Sequence, residues 1–136
     1  MSSGRLVVPA LRSVLAMAAG FVVVALVNQG GGELGDLIGF AGGGERRLAW
    51  DLGWVFIAGM LAAWVAVRLA PCARRAHAAV FFAAMLAVAA WAVAQMGDDW
   101  PRWFSAGVVL AVPLQVGLGA CWALRGGSRG ASTTQS

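Results

Sequence analysis

Residues Ala76–Met96 read AHAAVFFAAMLAVAAWAVAQM, with Arg74-Arg75 just before them and Gly97-Asp98-Asp99 just after. A run of about 20 residues free of fixed charge, rising about 1.5 Å per residue, matches a hydrocarbon core of about 30 Å. Lipid offers the backbone no hydrogen-bond partners, so the run predicts a helix and not an open strand. The charges at its two ends differ in sign. Arginine beside a span is biased to the cytoplasmic side, so the chain is expected to leave the cytoplasm near Arg75 and to emerge near Asp98.

Working outward, three more apolar runs of similar length follow the same rule: residues 6–27, 50–70 and 103–124, beside 76–96. Glu33, Asp36, Glu45 and Asp51 lie between the first and second, and Asp98 and Asp99 between the third and fourth. Arg5, Arg12, Arg68, Arg74, Arg75, Arg125 and Arg129 flank the opposite ends. The expected architecture is all-α: one domain over residues 1–136, a four-transmembrane-helix bundle, N-in/C-in, multi-pass in a bacterial inner (plasma) membrane. A Gly-rich outer loop over 28–49 and a disordered C-terminal tail over 126–136 complete the plan. A cleaved secretory signal is disfavoured, because Ala25-Leu26-Val27 is a poor cleavage site. Trp50, Trp54, Trp100 and Trp103 all map to the outer boundary, where indole finds both an apolar body and a polar partner.

Composition narrows the field of partners. Hydrophobic residues make up 60% of the chain and charged residues 12%, far from soluble averages. The net charge of +4 comes from arginines beside apolar runs, which points to the lipid bilayer and its anionic headgroups and away from nucleic acid. Cys72 and Cys121 both map to the reducing side and are expected to be free thiols. Two thiols and the single His77 make no metal signature, so neither metal nor cofactor is expected.

The outer loop carries Gly30-Gly31-Gly32 and Gly42-Gly43-Gly44 around Leu34, Leu37, Ile38 and Phe40. It reads either as an interfacial helical turn between glycine hinges or as an unstructured linker. No Lys-Ser/Thr follows these glycines, so no phosphate loop is read there. Asp51 and Asp99 are the expected N-caps of the second and fourth helices.

Intramembrane chemistry needs ionisable groups at depth, and none is present, so no catalytic residue is assigned and the chain is not read as an enzyme. Asn28, Gln29 and Gln95 are outer-interface polar residues. Gln115 differs, lying midway along the fourth run just after Pro113, whose missing N–H frees the carbonyl of Val109. Pro113 and Gln115 form the candidate intramembrane polar and kink site. The Gln115 amide is expected to hydrogen-bond across to another helix or back to the loosened backbone, with a pore or ligand contact as the alternative. Small residues every fourth position supply packing stripes: Gly107, Ala111 and Gly119 with Gln115, then Ala16 and Gly20, Gly59 and Ala63, and Ala79, Ala83 and Ala87.

The run from Arg12 to Val27 with its Ala-Gly-Phe centre, the stretch Gly59 to Arg68, and Pro101-Arg102-Trp103-Phe104 with Gly107, Pro113 and Gly119 resemble small four-span bacterial inner-membrane proteins of about this length. The chain departs from that group in having Asn28-Gln29 where several of its members carry an acidic residue. The resemblance implies the four-helix fold and no activity. The expected function is a non-enzymatic accessory or partner-binding subunit that acts through helix packing, either as a homo-oligomer or with another membrane protein. The alternative is a small oligomeric transporter or channel subunit, which needs Asn28, Gln95 and Gln115 to converge.

Overall fold

The computed structural model describes residues 4–40 and 42–126. Four helices form an all-α bundle: α1 (Gly4–Gly35), α2 (Glu45–Leu69), α3 (Arg74–Met96) and α4 (Arg102–Arg125). A turn over Asp36–Phe40, kinked at Gly39, follows α1, and a 3₁₀ turn over Gly97–Asp99 links α3 to α4. All four are long and apolar enough to cross a membrane. Because successive helices run up and down, the carboxylates gather at one end of the bundle, the acidic end. Arg12, Arg68, Arg74, Arg75 and Arg125 mark the other, the arginine end.

Helix α2 is central. It packs along α1 and α4 most extensively and on α3 less, while α1 and α3 touch only sparsely. Small residues make the close contacts possible. Ala16 and Gly20 of α1 are buried, and a Cβ built on Gly20 would lie 2.7 Å from the Phe81 ring and 3.1 Å from Ala66 Cβ. The core then fills with Ala62, Ala63 and Ala66 from α2, Phe81 and Met85 from α3, and Phe104, Val108, Val112 and Val116 from α4.

Two expectations fail in instructive ways. The Gly-rich loop predicted over 28–49 is largely helix: α1 runs on through Gly30-Gly31-Gly32 to Gly35, and α2 begins at Glu45. The chain turns at Gly39, with φ of 97°, and again around Gly42–Gly44, with Gly43 and Gly44 at φ of 77° and 83°, values at which only glycine is unstrained. The second failure concerns caps. Asp51 lies inside α2 and pairs with Arg47 one turn earlier, while Asp99 lies in the 3₁₀ turn and Pro101 holds the cap position of α4. On α3 the alanine spacing leaves open whether the stripe packs within the chain or against another molecule; Ala79, Ala83 and Ala87 are exposed, and Phe81, Met85 and Ala89 form the buried face. Helix α3 contacts α2 less extensively than α1 and α4 do, and Phe81 and Met85 supply most of the volume on its inward face. The expected tail over 126–136 lies outside the described residues apart from Gly126, whose N–H donates to the Trp122 carbonyl at 3.3 Å.

Candidate functional site

The fourth-helix stripe faces α2, and its members grade from loose to tight. Gly107 and Ala111 are half-buried, with Leu52 over Gly107. Gln115 and Gly119 are buried completely or nearly so. A Cβ on Gly119 would collide with the backbone carbonyl of Met60 and lie 2.9 Å from Ala63 Cβ. The two helix backbones here are close to contact.

One turn away, the Gln115 side chain is fully buried and lies flat over Gly59, in space that any Cβ at position 59 would occupy. Neither Oε1 nor Nε2 of Gln115 has a hydrogen-bond partner. The hydrogen bond expected for this amide, across to another helix or back to the backbone loosened by Pro113, is therefore not formed. Gly59 receives the amide by shape alone, since its missing side chain leaves a notch. Pro113 itself is exposed on the far face of α4.

The other polar residues do not join it. Gln29 is exposed and donates from Nε2 to Glu33 Oε1 at 2.8 Å, while Asn28 is half-buried on α1. Gln95 is exposed in the last turn of α3. Cys72 and Cys121 are free and exposed. No group of three or more His, Cys, Asp or Glu side chains suited to a metal occurs among the described residues.

A second polar centre, at the acidic end, escaped the sequence reading. Arg47 donates from Nε to both carboxylate oxygens of Asp51 at 3.0 Å, from Nη1 to Asp36 and from Nη2 to the Gly32 carbonyl at 3.3 Å. The Trp50 indole N–H donates to the Gly31 carbonyl at 2.8 Å. Phe40 and Trp54 sit against the Trp50 ring at centroid distances of 5.7 and 5.9 Å.

The glycines explain how this fits. A Cβ on Gly31 would fall within the Trp54 indole, and one on Gly35 would lie 2.8 Å from Trp50 Nε1. Gly31 and Gly35 thus form a one-sided groove along α1 that seats two indoles and a guanidinium. Two spacings carry the signal, Gly31-x-x-x-Gly35 and Arg47-x-x-x-Asp51, but each is legible only once both segments are taken as helix.

Chemically, the guanidinium is fully engaged and the amide is sealed between helices. The Arg47 centre ties α1 to α2, the Gln115 amide fills space between α4 and α2 without a hydrogen bond, and neither presents an exposed reactive group. Set against known protein families, curated proteins and solved structures, the chain matches none of them.

Proposed function

We propose that this chain is an integral protein of the bacterial inner membrane, with both termini cytoplasmic, and that it works as a non-enzymatic accessory or partner-binding subunit. The observation that carries the reading is the outward face of α3. Ala79, Ala83, Ala87, Ala90 and Ala94 are all exposed there. Bulk suited to lipid lies beside this stripe on α3 itself, at Val80, Val88 and Trp91, and on the outward faces of α4, at Leu110, Leu114 and Leu118, and of α1, at Val14, Leu15, Val22 and Leu26. Lipid does not need an alanine stripe between such side chains, whereas a neighbouring helix gains close van der Waals contact from one. The other small-residue stripes are consumed within the chain. The α3 stripe is left for another molecule, either a second copy or a different membrane protein. A transport pathway is not favoured, because Asn28, Gln95 and Gln115 occupy three separate places.

Orientation is tested by reporter fusions. A fusion after Gly43 should report the periplasm and one after Arg74 the cytoplasm, and the reverse pattern would invert the whole assignment. For partner binding, a photo-crosslinking residue is placed in native membranes at Ala79, Ala83, Ala87 or Ala90, and separately at Leu110, Leu114 or Leu118. Discrete protein adducts are expected from the α3 positions alone. Lipid adducts from both sets in equal measure would remove the proposal.

A further inference from the structure

Between α1 and α3, where the two helices scarcely touch, lies a groove of about 510 Å³ lined by Ser13, Val14, Met17, Ala18, Ala76, His77 and Val80. That volume falls within the roughly 300–1,000 Å³ of small-molecule sites. Its walls are apolar over Val14, Met17, Ala18 and Val80, and its polar residues, Ser13 and His77, lie towards the arginine end. We propose that this groove binds an anionic phospholipid, with an acyl chain along the apolar walls and the phosphate beside Arg74 and Arg75. The proposal rests on the membrane reading above.

Charge complementarity selects the occupant. Arg74 and Arg75 form the first turn of α3, immediately before Ala76 and His77, and both are exposed. They form no ion pair with any described residue, and no acidic residue lies at this end of the bundle. Arginines in a first turn also face the positive end of the helix dipole, with no acidic side chain there to offset it. A bound phosphate would relieve both sources of positive charge. A zwitterionic lipid would bring a compensating cation into the same place and gain less. Basic pockets between helices at the cytoplasmic side are a recurrent solution for anionic headgroups. The apolar length of the groove distinguishes a lipid from free phosphate, which has nothing to place there.

The test uses the full chain in a neutral detergent, titrated with phosphatidylglycerol or with phosphatidylcholine of the same acyl chains and followed by mass spectrometry of the intact complex. A preference of about tenfold for phosphatidylglycerol is expected, falling to near parity in the double variant Arg74→Gln/Arg75→Gln. Val80→Trp, which fills the groove and leaves the arginines in place, should abolish tight binding of both lipids. Circular dichroism confirms that each variant retains its helices; Ala76→Leu replaces Val80→Trp, and the single changes Arg74→Gln and Arg75→Gln replace the double, where one does not. Equal binding of the two lipids, or a preference untouched by all of these variants, would overturn the proposal. So would displacement of phosphatidylglycerol from the unsubstituted chain by millimolar inorganic phosphate. Alkaline carbonate washing of native membranes separates this failure from the other. A chain that stays in the pellet without lipid preference loses only the groove site, and a chain that is washed out loses the membrane reading with it.

Discussion

Gly119→Ala is expected to separate α4 from α2 and to lower stability by about 3 kcal/mol, the upper end of what overpacking commonly costs. The new methyl group meets the Met60 carbonyl, which is backbone, and Ala63 Cβ, which is bound to it. No rotamer change can relieve either contact. The change is read by equilibrium unfolding in detergent or bicelles, and a shift below about 0.5 kcal/mol, as at an ordinary exposed position, would mean that the close crossing is not there. Two companion variants test the same seam with opposite signs. Gly59→Ala should also destabilise, but the atoms in its way belong to the Gln115 side chain, so adding Gln115→Ala should restore much of the loss. Gln115→Met keeps the shape and removes an amide with no partner, so it is expected to stabilise by about 1 kcal/mol. A clear loss of stability in Gln115→Met would reveal a hydrogen-bond partner for the amide.

The second large effect is expected at Gly31, with its neighbour as the control. Gly31→Ala drives a methyl group into the Trp54 indole, and it disturbs the peptide whose carbonyl accepts the Trp50 N–H. The last turns of α1 should detach from α2, at a cost of about 2 kcal/mol. Amide hydrogen exchange over residues 31–40 should then accelerate, and limited proteolysis should begin there. At Gly30 a Cβ would meet nothing within 4 Å. Gly30→Ala should therefore raise stability by up to about 1 kcal/mol through helix propensity alone. Adjacent glycines with opposite responses are a signature of helix with one packed face. Were this segment a free linker, both substitutions would be close to neutral.

The boundaries between what could and could not be read from sequence follow the range of the forces involved. Four apolar runs with opposite charge at their ends are a property of composition, and composition survives any packing arrangement. The fate of Gly30-Gly31-Gly32 depends instead on residues some 20 positions away. Glycine disfavours helix locally, and only the indoles of Trp50 and Trp54 turn its missing side chain into an advantage. Asp51 misled for the same reason: read beside Trp50 it looks like a cap, and only a helix that starts at Glu45 places it one turn after Arg47. Gln115 was visible as the lone amide at mid-helix. That its partner is the absent side chain of Gly59, and not a donor or acceptor, could be seen only with both helices in place. The alanines of α3 show the limit of periodicity, since the spacing of Ala79, Ala83 and Ala87 is equally suited to an inward or an outward face.

The glycine groove of α1 also has a consequence for the order of events during synthesis. Gly30, Gly31, Gly32 and Gly35 each disfavour helix by roughly 1 kcal/mol relative to alanine, and all four lie in the last turns of α1. When the ribosome has delivered only α1, nothing compensates that cost, so these turns have no reason to be helical. They become so once Arg47, Trp50 and Trp54 have been made and α2 has been threaded back alongside. The two segments are therefore a template and its substrate in time as well as in space. Nascent chains stalled just after the first apolar run should hold a frayed end at Asn28, and those stalled after α2 a helix reaching Gly35. A chain truncated before α2 should therefore keep residues 30–35 as an exposed glycine tether, cut by protease faster than the same residues in the full chain.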